Sequence, residues 1–256
     1  DQFYSMSDGQ RKTFGLRSLV DPGLPEAWVA SRGKAGVAAP GKEARLSCRN
    51  LGFSYGKTPV FSGFNADFYA GEITCIAGVN GVGKTTLVRV LCGLAAPASG
   101  TITLDGQEVS CRQRRLACAL VMQDTGRQLF SDTLAGELTI GASEASGEAG
   151  EQLLADFDLA HLGERHPLSL SGGQKQRLVI AAARATGRPV VILDEPTSGV
   201  DARHLDSITS TLRRIADEGA AVIVVTHDGE FASACADQLI TLTPMGAKHA
   251  REGDHQ

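Results

Sequence analysis

The eight residues 78–85 read Gly-Val-Asn-Gly-Val-Gly-Lys-Thr and constrain the fold of this chain more than any other segment. They follow an apolar run at residues 73–77 and precede a segment with helical spacing at residues 85–93. Glycines in such a turn let backbone N–H groups curl around a phosphate without Cβ clashes. Lys84 adds a mobile positive charge, and the Thr85 hydroxyl suits Mg²⁺, which prefers oxygen ligands. The pattern predicts a strand, a phosphate-binding loop and a helix in succession.

A second apolar run ends in two adjacent carboxylates. Residues 190–193 are Val-Val-Ile-Leu, and Asp194 and Glu195 follow them directly. In phosphate-transferring enzymes the first carboxylate after such a strand holds Mg²⁺, often through a water. The second carboxylate then stays free to polarise an attacking water as a general base. Asp194 is therefore a candidate metal ligand and Glu195 a candidate catalytic base.

The pattern of apolar runs predicts an α/β fold. The run before Asp194 and the run at residues 221–226 are continuous and β-branched, which is typical of parallel strands buried on both faces. Two shorter runs at residues 46–51 and 60–64 flank a glycine-containing turn. We therefore expect a P-loop core with a parallel sheet flanked by helices. An antiparallel β subdomain near its start and a helical insert at about residues 124–172 complete the prediction.

Residues 170–174, Leu-Ser-Gly-Gly-Gln, lie about 20 residues before Asp194 and make the pattern specific. With the phosphate loop and the carboxylate-ended strand, they make the chain resemble the nucleotide-binding domains of ABC transporters. The resemblance covers roughly residues 44–245. It implies the ABC ATPase fold and an activity that hydrolyses ATP to ADP and phosphate, coupled to transport.

Other motifs of that family occur in the expected order. Tyr55 resembles the aromatic residue that stacks on adenine, and Gln123 resembles the glutamine of the Q-loop. Residues 198–201, Ser-Gly-Val-Asp, resemble the D-loop, and His227 resembles the switch histidine that contacts the γ-phosphate. Gln123 is implied to contact Mg²⁺ and the attacking water while connecting to the mobile insert.

The resemblance implies ATP and Mg²⁺ as ligands and assigns three sets of residues. The catalytic set is Glu195, His227, Gln123 and Lys84. The nucleotide-binding set is Tyr55, Asn80, Gly81, Val82, Gly83, Lys84, Thr85, Thr86, Ser171, Gly172, Gly173 and Gln174. The metal set is Thr85, Gln123 and Asp194.

The signature at residues 171–174 begins a helix, so it offers a hydroxyl, N–H groups and a helix dipole to an anion. In the family that anion is the γ-phosphate of ATP held by an opposite domain. Each site is then complete only when two domains pair head to tail with ATP between them. ATP closes the dimer, hydrolysis opens it, and the insert passes the motion to the membrane partner.

Residues 123–133, with Glu137 and Gly141, are similar to the segment after the Q-loop in energy-coupling factor transporter ATPases. Such importers take up vitamins or transition-metal ions with a second ATPase domain, a transmembrane coupling subunit and a substrate-binding membrane subunit. The resemblance implies a peripheral position at the cytoplasmic face of the plasma membrane. We expect residues 128–130, Gln-Leu-Phe, to lie in a short helix of the groove for a coupling helix. The other interpretation places Leu129 and Phe130 in the core of the insert.

The ends of the chain differ from its centre. Residues 1–43 have the Gly, Pro and Ala content of a linker, and residues 246–256 are expected to be a disordered tail. Residues 1–7 resemble residues 237–243, so residues 1–9 are a candidate last strand of a preceding, duplicated ATPase domain. Coincidence over seven positions is the other explanation.

Bulk properties favour some classes of partner over others. The net charge of −4 and the pI of about 5.9 argue against nucleic acid as a partner. A soluble tandem ABC protein acting on ribosomes is the alternative function, while a DNA-repair ATPase lacks its coiled-coil or zinc module here. A degenerate, non-hydrolysing domain is disfavoured by the presence of Glu195. The six cysteines contain no Cys-x-x-Cys pair and are expected to be buried, reduced thiols.

Overall fold

The computed structural model describes residues 14–16, 43–141, 147–197 and 205–244. Across these residues ten strands form one sheet with the order β6-β5-β2-β3-β1-β10-β4-β9-β8-β7. The strands are β1 (Phe14–Leu16), β2 (Ala44–Tyr55), β3 (Thr58–Tyr69), β4 (Ile73–Gly78), β5 (Ser99–Leu104), β6 (Gln107–Glu108), β7 (Cys118–Val121), β8 (Val190–Asp194), β9 (Ala221–Val225) and β10 (Gln238–Pro244).

Helices connect and cover these strands. The α-helices of the described ranges are α1 (Lys84–Leu91), α2 (Cys111–Ala117), α3 (Leu134–Thr139), α4 (Gly147–Asp156), α5 (Gly172–Ala185), α6 (Leu205–Asp217) and α7 (Gly229–Cys235). Short 3-10 helices span Thr125–Gln128, Ala160–Leu162 and Pro167–Ser169. None of the helices in these ranges has both the length and the apolar composition needed to cross a bilayer.

The predicted parallel core is confirmed. Strands β10, β4, β9, β8 and β7 pair in parallel, and every residue of β4, β8 and β9 is buried. Alternate side chains of these strands enter two hydrophobic clusters, one shared with α5 to α7 and the insert and one shared with α1 and the antiparallel strands. Because the strands are parallel, their carboxyl ends meet at one edge of the sheet, where the loops that follow them converge.

The antiparallel subdomain is also confirmed, with longer strands than the sequence predicted. Strands β2 and β3 each span 12 residues and form a hairpin that closes with Tyr55 opposite Thr58. The hydrogen-bonded ladder between β2 and β3 contains several register shifts. Because of these irregularities, strand pairing continues past the polar residues at which the sequence predicted each strand to end. β5 and β6 extend this part of the sheet.

The helical insert is anchored to the core by an ion-pair network. Asp156, the last residue of α4, accepts hydrogen bonds from Arg184 of α5 and Arg214 of α6. Arg184 also pairs with Glu218 just beyond α6. The network therefore ties the insert to the far end of the helix that Ser171 begins.

The ends of the chain are described only in part. Residues 14–16, which fall within the segment predicted as a linker, form β1 between β3 and β10. The candidate strand at residues 1–9 and the tail at residues 246–256 lie outside the described residues, as does the D-loop at residues 198–201.

All six cysteines are free thiols, and five of them are buried as predicted, whereas the prediction of burial is wrong for Cys111. Burial raises the pKa of the Cys48 and Cys118 thiols to about 12 and that of Cys92 to about 11. Cys111, at the start of α2, is partly exposed. Since the thiolate is the reactive form, the buried thiols are expected to be inert.

We therefore expect a maleimide to label one thiol per native chain rapidly at pH 8, namely Cys111. A thiol with a pKa near 12 is only about one part in 10⁴ ionised at that pH, and burial excludes the reagent as well. Mass spectrometry of digested, labelled protein identifies the site. Cys111→Ser should remove the rapid phase, whereas rapid labelling of Cys48 in the native protein would contradict the burial described here.

Candidate functional site

The predicted phosphate loop leaves β4 at Gly78 and enters α1 at Lys84. Gly83 has a φ of 102°, and a Cβ placed there would lie 2.8 Å from Cγ1 of Val60. Both the backbone conformation and the close approach of β3 therefore require glycine. Val82 turns its side chain into the core, and its N–H donates to the Val79 carbonyl at 3.2 Å. Asn80 lies at the exposed tip, so the loop is an outward-facing turn braced from below by Val82.

Lys84 folds back over its own loop. Its Nζ donates to the Gly78 carbonyl at 2.6 Å and lies 3.8 Å from Oε1 of Glu195. The side chain is only 7% exposed, and burial lowers the pKa of Lys84 below its ordinary value, although Glu195 and Asp194 oppose that shift. The ammonium thus stands between the loop and the carboxylates at the end of β8, within reach of an anion held by the loop.

Asp194, the last residue of β8, has an unsatisfied carboxylate oxygen. Its Oδ1 is buried and has no hydrogen-bond partner among the residues described. Burial raises the pKa of this carboxyl, and a hydrogen bond from the Thr85 side chain partly lowers it. A buried carboxylate oxygen without a donor is costly, and a bound cation removes that cost. Hydroxyl and carboxylate oxygens are ligands that Mg²⁺ accepts, so Thr85 and Asp194 fit a magnesium ion.

Glu195 is held by the neighbouring strand in an uncommon conformation. Its φ is 53°, in the left-handed region, which costs a non-glycine residue about 1–3 kcal/mol. Its N–H donates to the Val225 carbonyl at 2.8 Å, and its Oε2 lies 2.8 Å from Nδ1 of His227. The buried carboxylate is therefore aimed between Lys84 and a histidine whose side chain is 59% exposed.

The contact between His227 and Glu195 is a feature that sequence reasoning missed. The motif resemblance placed His227 on the γ-phosphate and assigned it no protein partner. The two residues are 32 positions apart, but they follow adjacent parallel strands in which Asp194 pairs with Val225. The contact could not be predicted because it depends on the order of the strands in the sheet, which cannot be read from the sequence.

Gln123 reaches the same edge of the sheet from β7. The parallel register pairs Val121 with Leu193, so Gln123 and Glu195 leave neighbouring strands at matching positions. Gln123 is exposed and lies in the bend that leads into the insert. The structure thus brings Lys84, Thr85, Asp194, Glu195, Gln123 and His227 to one edge, as strand ends of a parallel sheet require.

Tyr55 approaches the loop from the β2–β3 hairpin. Its ring lies 4.9 Å from the Phe53 ring in an edge-to-face contact, and Phe53 stacks on Phe61. Phe61 in turn lies beside Gly83, where a Cβ would come within 3.9 Å of its ring. Tyr55 is 46% exposed, so a series of aromatic contacts leads from the phosphate loop to a ring that is partly open to solvent.

The signature residues form a second anion-binding feature. Ser171 caps α5 by accepting from the Gln174 N–H at 3.4 Å, while Gln174 Oε1 accepts from the Ser171 N–H at 2.9 Å. Ser171 and Gly172 are exposed, and the first N–H groups of the helix have no intrahelical acceptor. Within the described part of the chain, no hydrogen bond or ion pair joins these residues to the loop around Lys84.

The segment after Gln123 differs from its prediction. The 3-10 helix Thr125–Gln128 ends before Leu129 and Phe130, so residues 128–130 do not share a short helix. Leu129 is partly buried against the core of the insert, whereas Phe130 is 77% exposed. The interpretation of both as core residues therefore holds for Leu129 and is wrong for Phe130.

Two polar side chains fix the path of this segment, and the sequence analysis assigned that role to neither of them. The Gln128 amide donates to the Leu120 carbonyl at 2.8 Å and accepts from the Met122 N–H at 2.7 Å. The buried Glu137 carboxylate accepts from the N–H groups of Phe130 at 2.9 Å and Ser131 at 2.8 Å. In the sequence, Glu137 is a charged residue among the core-facing positions of α3, and this placement could have indicated that it has a structural partner.

Comparison with known proteins places the chain in a family. A sequence profile described as "ABC transporter" matches residues 61–198. A putative ABC transporter ATP-binding protein of Treponema denticola is 41% identical over 207 residues, which cover 81% of this chain and 42% of that protein. The putative HMP/thiamine import ATP-binding protein YkoD of Bacillus subtilis is 36% identical, covering 81% and 39% respectively. The chain thus spans about two fifths of the length of these relatives.

Solved structures agree with the sequence matches. The cbiO1 protein from Clostridium perfringens, described as part of the ABC transporter complex cbiONQ, aligns with a TM-score of 0.71 at 29% identity over 78% of this chain and 85% of that one. A bacterial Atm1-family ABC exporter with ATP bound aligns with a TM-score of 0.70 at 25% identity, over 84% and 41%. This chain belongs to the ABC transporter ATPase family, whose domains bind and hydrolyse ATP.

Proposed function

We propose that this chain is the ATP-hydrolysing component of an energy-coupling factor importer for a vitamin or a metal ion. The observation that carries the proposal is the outward-facing Phe130, which two polar side chains fix beside the nucleotide edge of the sheet. Relatives named for thiamine import and for the cbiONQ complex support the same assignment.

ATP binding uses the loop and the aromatic hairpin. The partly exposed Tyr55 ring stacks on adenine, and the loop from Asn80 to Thr86 surrounds the phosphates. Lys84 exchanges its contact with the Gly78 carbonyl for the β- and γ-phosphates. Thr85 and Asp194 would hold Mg²⁺, with Gln123 as the third candidate ligand, and the ion would supply neutralisation of phosphate charge.

Hydrolysis uses the carboxylate that the strained backbone presents. Glu195 accepts a proton from the attacking water, and His227 holds one oxygen of Glu195 so that the other faces Lys84 and the phosphates. Gln123 orients the water from the neighbouring strand end. When Nδ1 of His227 donates to Glu195, Nε2 of the neutral ring is an acceptor, so Nε2 donates to the γ-phosphate only in the doubly protonated ring.

A second ATPase domain, either another copy of this chain or an unlike half, completes each site. The exposed start of α5 supplies Ser171 and the backbone N–H groups of Gly172 and Gly173 to a γ-phosphate bound by the partner. The membrane partners are a transmembrane coupling subunit and a substrate-binding subunit. The chain then lies as a peripheral protein at the cytoplasmic face of the plasma membrane.

The docking role of Phe130 can be tested by Phe130→Asp. Placing a carboxylate at the centre of an apolar contact should reduce co-purification with the coupling subunit by at least about tenfold, because a buried unpaired charge is costly. ATP affinity of the isolated chain should stay unchanged, since the hydrogen bonds recorded for Phe130 and Ser131 in the described ranges run to Glu137 and not to the nucleotide residues.

Ile140→Asp is the matched control. Ile140 lies on the same insert at the end of α3 and is 49% exposed, so it tests a charge added to an exposed apolar side chain of the insert outside residues 128–130. It should leave co-purification intact. Equal recovery of the coupling subunit with Phe130→Asp and wild type would remove the proposed docking surface.

A further inference from the structure

The chain leaves β9 through a turn that is held by hydrogen bonds on both sides of His227. Thr226 precedes the histidine, is 1% exposed, and donates its N–H to the Ile76 carbonyl of β4 at 3.1 Å. Asp228 follows the histidine and is the N-cap of α7. The proposed reaction uses His227 and gives no role to either of its neighbours.

The Thr226 side chain closes this turn. Its hydroxyl oxygen accepts from the Asp228 N–H at 3.0 Å. A hydroxyl that accepts from an N–H two residues ahead mimics a backbone turn and limits the conformations open to the residue between them. That residue is His227. Because the Thr226 backbone is also bonded to β4, the turn begins from a fixed point of the sheet.

Asp228 fixes the other end of the turn. Its Oδ1 accepts from the Phe231 N–H at 3.0 Å, and its backbone carbonyl accepts from the Ala232 N–H at 3.0 Å. Phe231 and Ala232 are buried in the hydrophobic cluster that α5 to α7 share with the insert. The cap therefore attaches the turn to a helix whose apolar side is held in the core.

His227 depends on this turn for its position. Its side chain is 59% exposed, and the hydrogen bonds recorded for it in the described ranges both run to Oε2 of Glu195. The His227 N–H donates to that oxygen at 3.3 Å, and the ring Nδ1 lies 2.8 Å from it. Since the backbone and the ring meet the same oxygen, a change in the turn moves both contacts together.

We propose that Thr226 and Asp228 are positioning residues that hold His227 against the catalytic base Glu195. The Thr226 hydroxyl sets the turn, the Asp228 carboxylate anchors it to α7, and His227 carries the effect to the reacting atoms. The inference rests on the catalytic role proposed for His227. It adds that this role depends on two side chains that do not themselves contact the nucleotide.

The first test compares Thr226→Val with Thr226→Ser. Valine has nearly the shape of threonine but lacks the acceptor for the Asp228 N–H, whereas serine keeps it. We expect the kcat for ATP hydrolysis by the whole chain to fall about tenfold in Thr226→Val, because small displacements of catalytic groups are costly. Thr226→Ser should stay within about threefold of wild type. The affinity for ADP, measured by fluorescent-nucleotide titration, should be unchanged in both variants.

The second test asks whether the effect passes through His227. His227→Ala should lower kcat by about 10²-fold on its own. Adding Thr226→Val to His227→Ala should then change kcat by less than about twofold, because a positioning residue has no effect once the residue it positions is gone. A general loss of stability would instead lower kcat by the same factor in both backgrounds.

Asp228 supplies an independent pair of variants if Thr226→Val fails to fold. Asp228→Ala removes the cap and should lower kcat about tenfold, again without further effect in the His227→Ala background. Asp228→Asn should stay within about threefold of wild type, since asparagine caps helices as well as aspartate does. Thr211→Val is the control, because Thr211 is a buried threonine of α6 outside the turn. It should hydrolyse ATP at the wild-type rate.

The outcomes separate this inference from the role proposed for His227. Wild-type kcat in His227→Ala would remove that role, and the inference with it. A slow His227→Ala combined with wild-type kcat in both Thr226→Val and Asp228→Ala would overturn the inference alone. So would a tenfold loss that Thr226→Val causes equally with and without His227.

Discussion

Replacing Glu195 with glutamine is expected to lower ATP turnover by about 10³-fold while leaving ATP binding intact. Glutamine keeps the shape of the side chain and can still contact His227, but it cannot accept a proton from water at neutral pH. The left-handed backbone at Glu195 and its bond to the Val225 carbonyl do not depend on the carboxylate, so the fold should be unaffected. ATP then stays uncleaved, and the closed pair of domains should accumulate.

Release of phosphate under single-turnover conditions measures the chemical step, and light scattering with and without ATP measures the pairing of chains. Glu230→Gln is the matched control, because Glu230 is an exposed carboxylate of α7 close in sequence to His227. It should hydrolyse ATP at the wild-type rate. Turnover of Glu195→Gln within tenfold of wild type would mean that another group serves as the base.

Replacing Ser171 with glutamate should lower ATP turnover by at least about 10²-fold, without weakening the binding of ATP to a single chain. The exposed start of α5 makes no contact with the loop around Lys84 within the described residues, so its role is exerted on another domain. A carboxylate there repels the γ-phosphate that the hydroxyl and the helix dipole attract. Loss of the helix cap costs only about 1 kcal/mol and cannot account for such an effect.

The Ser169→Glu variant is the control that separates the effect of the added charge from the effect of its position. Ser169 is exposed, lies two residues before Ser171 and ends the short helix Pro167–Ser169. The same charge at this position should leave most of the activity. Fluorescent-nucleotide titration should give the same affinity for both variants and wild type, and a several-fold loss of affinity in Ser171→Glu would show that the signature acts within its own chain.

The residues of the candidate site were largely predictable because each carries its own local signal. The loop before Lys84 needs glycine at fixed spacing, and Asp194 ends an apolar run, so both are visible in sequence. The contact of His227 with Glu195 was not visible, since it depends on β8 and β9 being neighbours. The order of the strands along the chain does not determine their order in the sheet, which is known only from the folded structure.

The insert was predicted less well for a related reason. Helical periodicity describes apolar faces, whereas the path of residues 128–131 is set by two polar side chains. Gln128 replaces backbone pairing at the end of β7, and Glu137 accepts two N–H groups that would otherwise be unsatisfied. Neither of these hydrogen-bonding roles produces a periodic pattern in the sequence. These hydrogen bonds end the 3-10 helix before Leu129.

The claim that one nucleotide is enclosed by two chains is tested most directly by mixing two inactive variants, Lys84→Ala and Ser171→Glu. In a mixed pair, the intact loop of the Ser171→Glu chain meets the intact signature of the Lys84→Ala chain and forms one working site. An equal mixture should therefore recover up to about one quarter of wild-type turnover, since half of randomly formed pairs are mixed and each has one site of two. A mixture that stays as inactive as its separate components would contradict the account.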